Sequence, residues 1–182
     1  PLDAFMKRYD MHLIHAQAVP TKGGSMRYYF ARPDSEWAMD PSARKVLERE
    51  STKEQLRMAF EDYAERIENE KKKALCYLEP LEGKKVVGYG ASATSTTLIS
   101  HFGLHLHLDY LVDDNAGKIN TYSPGYHIPV YSSDRLSEQP SPDVLFILAW
   151  RFKNEIMSKI KDLSCKVVVP LPDFQEIKQI NS

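Results

Sequence analysis

Four short apolar runs punctuate the second half of the chain: residues 85–89, 108–112, 143–149 and 166–169. Charged residues, glycine or proline bound each of them. They are too short for helices, and the third and fourth lack the apolar–polar alternation of a half-solvated strand. Such runs suit strands buried on both faces, as in a parallel sheet. Helical spacing appears between them. Thr94 to Phe102 follows the first run, and Phe152, Ile156, Ile160 and Leu163 recur at helical intervals between the third and fourth. Strand–helix–strand repetition predicts a parallel sheet with right-handed crossovers.

The first half carries a different pattern. Met11 to Val19 and Ser25 to Ala31 alternate, and Pro20-Thr21-Lys22-Gly23-Gly24 joins them, which predicts a β-hairpin. Two strands alone are marginal in water and need further structure to join. Residues 34–50 are polar, with Pro33 and Pro41 at hand, and read as a linker. Ser51-Thr52-Lys53-Glu54 has the form of a capping box. Beyond it Leu56, Phe60, Tyr63, Ile67, Ala74 and Leu78 share one face, predicting a long amphipathic helix to about Tyr77. Its charged stretch from Glu68 to Lys73 reads as the solvated face. The expected organisation is a hairpin in 1–33, a linker in 34–50 and a sheet domain in 51–182.

The first apolar run enters a glycine turn, Gly88-Tyr89-Gly90-Ala91-Ser92-Ala93, of the form G-x-G-x-x-A. Asp113, Asp114 and Asn115 stand at the end of the second run. This is the layout of a Rossmann-type mononucleotide-binding half. The fold class is therefore α/β: a Rossmann-like parallel sheet with flanking helices, preceded by a long helix and an N-terminal β-hairpin. In that layout Gly88 permits the tight turn, Gly90 lets a ligand approach the backbone, and Ala93 lets helix and strand pack closely. The N–H groups around Ser92 and Thr94 then face an anion at the helix start. Asp113, Asp114 and Asn115 are candidates to grip hydroxyls of a sugar or ribose, or else to cap the strand end. Arg151, after the third run, is the best additional phosphate ligand, because its fork matches phosphate oxygens. Tyr89 is placed to stack on a base or to pack.

Charge and composition narrow the classes. In 182 residues the formal net charge is −1, with 42% hydrophobic and 27% charged residues. There is no basic excess to track nucleic-acid phosphates, and no apolar run long enough for a bilayer. Cys76 and Cys165 are isolated and read as buried thiols of a reducing cytoplasm. His101, His105 and His107 fit no zinc spacing, so no metal is expected. His127 lies in a proline–glycine loop, with a place either in packing or at a ligand.

From about Thr21 to Phe174 the chain resembles the C-terminal part of the sugar C-methyltransferases. The resemblance rests on an ordered set of segments: Gly23-Gly24-Ser25-Met26-Arg27, the Gly88–Ala93 turn, Val112-Asp113-Asp114-Asn115 with Lys118, Pro124-Gly125-Tyr126-His127-Ile128-Pro129, and Leu148-Ala149-Trp150. These enzymes methylate a carbon of a nucleotide-linked deoxy-keto sugar with S-adenosylmethionine. The resemblance implies an upstream methyl-donor domain, of which the hairpin is a remnant. It implies a fragment that needs no cofactor of its own and whose ligand is a nucleotide-linked sugar or similar phosphorylated small molecule. Lys22 stands where the family has His, and is the candidate catalytic residue on that alignment. Ser92, Thr94 and Thr96 replace the family's Pro, Lys and Asn, and Arg151 replaces an Asn. Two rivals stand beside this reading: a non-catalytic module binding a nucleotide-sugar or phosphometabolite, and an NAD(P)-dependent oxidoreductase.

Overall fold

The computed structural model describes residues 2–21 and 24–177, and within them the chain divides into two units, one up to Ala64 and one from Glu65. Lys22 lies outside the described residues.

In the first unit, α1 (Leu2–Met6) and a 3-10 turn (Lys7–Tyr9) precede β1 (His12–Val19) and β2 (Ser25–Ala31). The two strands pair antiparallel with an irregularity between Leu13 and His15, so the hairpin forms as expected. Asp3 ties α1 to it by accepting from the Leu13 N–H at 3.2 Å. The stretch expected as a linker holds a helix instead, α2 (Pro41–Arg49). Asp40 caps it, accepting from the N–H groups of Ser42 at 2.8 Å and Ala43 at 3.3 Å. Proline at the first helical position has no N–H to leave unpaired and a preset φ. Ala43 is fully buried, and Leu13, Ala16 and Ala31 are the other buried apolar residues of this unit.

Helix α3 (Lys53–Leu78) crosses the unit boundary. Its capping box is Thr52 with Gln55, one residue along from the expected pair: the Gln55 N–H donates to Thr52 Oγ1 and the Thr52 N–H to Gln55 Oε1. The helix face reads two ways. Ala74 and Leu78 are buried and Ile67 partly so, whereas Phe60 is 71% exposed and Tyr63 56%.

The second unit is built on a seven-stranded sheet. Its strands are β3 (Val86–Tyr89), β4 (Tyr110–Asp113), β5 (Thr121–Tyr122), β6 (Pro129–Ser132), β7 (Val144–Ile147), β8 (Lys166–Val169) and β9 (Gln175–Ile177). Their order is β5-β6-β4-β3-β7-β8-β9. All four predicted runs are parallel, joined by β6; only β5 and β9, at the two edges, run antiparallel. Counting parallel strands in chain order, the sheet reads third, second, first, fourth, fifth. The order reverses between β3 and β7, which is where open α/β sheets form their binding crevice.

Both sheet faces are covered. Val86, Phe146 and Leu148 pack with Ala74 and Leu78 of α3 and with Leu98 and Phe102 of α4 (Ala93–Phe102) on one side. Val87, Tyr89, Leu145 and Ile147 pack with Ile156 of α5 (Lys153–Lys159) and Ile160 on the other. That two-sided burial is why these runs are continuously apolar. Phe152, expected within the helix, lies before α5 and is 61% exposed. Cys76 is exposed, contrary to the expected burial, because it lies on the solvent side of α3; Cys165 is half-buried. Among the described residues no helix is long and apolar enough to cross a membrane.

Candidate functional site

Gly88 sits inside β3 rather than in the turn. A Cβ there would lie 2.6 Å from Leu111 Cδ2 and 2.7 Å from Leu148 Cδ1, so its absence lets flanking side chains close over the strand. Gly90 makes the turn, with φ 108°, and its N–H donates to the Val112 carbonyl at 2.7 Å. The space expected to admit a ligand at Gly90 is filled by the chain itself. A Cβ would stand 2.6 Å from Ala149 Cβ and 3.0 Å from Ala149 N. Ser92 then caps α4, its Oγ accepting from the Ser95 N–H at 3.1 Å. The first-turn N–H groups of Ala93 and Thr94 have no place in the helical ladder and open onto the carboxyl edge of the sheet, where both residues are exposed.

Asp113 is engaged on both oxygens. Oδ2 accepts from the Ala91 N–H at 2.7 Å and from Lys118 Nζ at 3.0 Å, and Oδ1 from the Asn115 N–H at 2.9 Å. Burial raises the Asp113 pKa, but these hydrogen bonds and the Lys118 charge outweigh it and hold the group below the ordinary carboxylate value. Asn115 in turn accepts from the Gly117 N–H at 2.9 Å. These two residues therefore fix the β4 loop against the glycine turn, the strand-end role that Asp and Asn favour.

Asp114 gathers the opposite wall. It accepts from the Tyr89 hydroxyl at 2.9 Å, the Ser133 hydroxyl at 2.6 Å and Lys159 Nζ at 2.5 Å. Burial raises its pKa too, and the three donors again win. The same contact acts on Tyr89: burial first, then its bond to Asp114, push its pKa up to about 12. Tyr89 thus stays a protonated donor, packed in the core with its hydroxyl at the edge.

A cavity of about 260 Å³ lies here, lined by Tyr89, Gly90, Asp113, Asp114, Lys118 and Lys159 among others. Arg151 is not part of it. It is exposed, its guanidinium 5.2 Å from the Trp150 ring centroid. The cations at the edge are Lys118, which entered the sequence reading only through the resemblance, and Lys159. Lys159 and Ser133 carried no sequence signal, because they meet Asp114 from 45 and 19 residues away. A larger cavity, about 830 Å³, lies by Lys84, Lys85 and Asp109 at the amino edge, away from the glycine turn.

The histidines serve other contacts. His101 Nε2 is 3.4 Å from Glu68 Oε1, and His105 stacks on Tyr126 with centroids 3.8 Å apart. His127 has φ 51° in its loop. Among the described residues no group of three or more His, Cys, Asp or Glu is placed to hold a metal ion.

Ligands such as S-adenosylmethionine or a dinucleotide take a strand-end carboxylate for their ribose hydroxyls; here Asp113 and Asp114 already hold backbone, hydroxyl and ammonium groups, which leaves them little acceptor capacity for that role.

A family model described as the C-methyltransferase C-terminal domain matches residues 20–172. The C-methyltransferase NovU of Streptomyces niveus is 30% identical over 96 residues, spanning 50% of this chain and 23% of that protein. The match thus covers less than a quarter of that relative's length. The crystal structure of UDP-D-quinovosamine 4-dehydrogenase from Vibrio fischeri aligns with a TM-score of 0.40 at 17% identity, over 52% of this chain and 93% of that one.

Proposed function

Because the chain belongs to the family of C-methyltransferase C-terminal domains, we propose that it binds the nucleotide-linked keto sugar on which such an enzyme acts. In this reading S-adenosylmethionine is held by residues outside this stretch, and the parent reaction is methylation of a sugar carbon. The single observation that carries the proposal is the family match over residues 20–172. The geometry supports it in kind. The crevice lies at the reversal of strand order, where α/β sheets take ligands, and the start of α4 offers N–H groups and a favourable dipole to a diphosphate.

The engagement of Asp113 and Asp114 favours binding over chemistry within this unit. Asp113 and Asp114 each already accept three hydrogen bonds. A general base must take up the substrate proton, and these bonds hold both carboxyls below the ordinary value, which makes them weak bases. The unit's part is to hold and orient.

Titration calorimetry of the chain with a thymidine-diphosphate-linked sugar tests this. Wild type binds it, and Thr94→Glu weakens binding by about tenfold or more, because a carboxylate at the helix start faces the diphosphate at short range. The variant keeps its fold: Thr94 is exposed, and an acid in the first helical turn is favourable. Equal binding by both proteins would place the ligand away from this edge. In the same instrument S-adenosylmethionine gives no stoichiometric binding. A clear one-to-one isotherm would mean that the methyl-donor site lies in this chain.

A further inference from the structure

A second cavity, of about 660 Å³, opens beside the first, between the 3-10 turn Ser133–Ser137 with its following loop and the end of α5. The two share a wall made of Tyr89, Asp114 and Lys159. Ligand pockets usually measure about 300–1,000 Å³. The first cavity falls below that range, so a nucleotide-linked sugar must extend beyond it.

The two cavities differ in what they offer. In the first, Asp113, Asp114, Lys118 and Lys159 are bound to one another or to backbone, and Glu155 completes the charged lining. In the second, the side chains of Ser137, Gln139, Ser141, Asp162 and Ser164 make no hydrogen bond to other described residues. Hydroxyls, one amide and one carboxylate supply donors and acceptors in the mix that adjacent sugar hydroxyls require. The charge balance points the same way. Asp114, Asp134 and Asp162 face Lys159 as the single cation of this lining. A diphosphate is repelled there, whereas a neutral polyol is not, and it is the other cavity that Gly90, in the turn leading to α4, borders.

We propose that the second cavity is a glycosyl subsite: it takes the hexose of the nucleotide-linked sugar, while the diphosphate stays at the start of α4. This rests on the nucleotide-sugar reading above. The shared wall then acts as a fixed partition. The Tyr89 hydroxyl and the Asp114–Lys159 pair hold the loop carrying Ser133 against α5, so the subsite exists before the ligand arrives.

Comparing thymidine diphosphate with its hexose-linked form, by calorimetry on the whole chain, tests the assignment. The hexose-linked form binds wild type about tenfold more tightly or better, the gain expected from a few hydrogen bonds that include a charged acceptor. In the Gln139→Ala, Asp162→Ala double variant that gain disappears and the affinity for thymidine diphosphate itself is unchanged. Both side chains are exposed, so an unaltered circular-dichroism melt confirms the fold. Amide shifts of Ser137 and Ser164 in nuclear magnetic resonance spectra move with the hexose-linked ligand and not with thymidine diphosphate. Equal affinities of the two ligands for wild type, or a gain that survives in the variant, overturns the subsite alone. Failure of both ligands to bind overturns the nucleotide-sugar reading, and the subsite with it.

Discussion

Gly90→Val destabilises the sheet unit by about 2–5 kcal/mol, combining a strained backbone with overpacking. The backbone contribution comes from φ 108°, which a β-branched residue resists strongly. The packing contribution comes from Ala149, whose Cβ and N lie 2.6 and 3.0 Å from the position of an added Cβ. Ala149 N also donates to the Tyr89 carbonyl at 3.0 Å, so the clash falls on the β3–β7 join that bounds the crevice. Gly125→Ala is the matched control. Its φ is 84° but nothing lies within 4 Å of an added Cβ, so it costs about 1 kcal/mol from the backbone alone. Urea unfolding of both variants measures the difference. If their midpoints coincide, Gly90 is only a turn residue and its approach to Ala149 is immaterial.

Glu70→Ala lowers stability by about 1–3 kcal/mol, the cost of leaving a half-buried donor without its charged acceptor. Glu70 lies buried on α3, and its Oε2 accepts from the Phe174 N–H at 2.5 Å across 104 residues of sequence. Oε1 accepts from Lys73 at 2.6 Å, but that lysine is 54% exposed and the pair adds little. Burial raises the Glu70 pKa; the bonds from Lys73 and Phe174 more than reverse this and hold it below its ordinary 4.5. A carboxyl lowered by folding stabilises fully above its unfolded pKa, and that contribution vanishes as pH falls through the folded value. The gap between wild type and Glu70→Ala in urea is therefore widest near neutrality and narrows below about pH 4.5. Glu70→Gln keeps an acceptor for Phe174 and falls between the two. A gap that stayed constant from neutral to acid pH would show that the charge on Glu70 contributes nothing.

The parallel sheet was legible because burial on both faces leaves its strands no polar alternation; Val144 to Leu148 reads as one apolar run for that reason. Strand order is invisible to such a pattern, and β5 and β9, of two and three residues, are too short to register. Helix α2 lies in a stretch that reads as polar because charges outnumber its apolar residues, although Asp40-Pro41-Ser42 is a start signal and Ala43, Val46 and Leu47 stand at helical spacing. At the site, local rules located the glycine turn and the Asp113–Asn115 strand end. What they could not show is occupancy: Gly90 faces Ala149, and the partners of Asp114 come from the loop after β6 and from α5. Arg151 follows β7 in sequence, yet the 3-10 turn Trp150–Phe152 carries it onto the Trp150 ring.

The uneven burial of α3 has a kinetic counterpart. Met58, Phe60 and Tyr63 are each more than half exposed, while Ala74 and Leu78 are sealed. An isolated helical stretch of about a dozen residues is marginal in water, so the amides from about Lys53 to Ala64 exchange with solvent deuterium by fraying. Those from Ile67 to Leu78 open only when the sheet unit does. One continuous helix therefore carries two clocks, and the crossover between fast and slow amides marks where packing, rather than hydrogen bonding, begins to hold it.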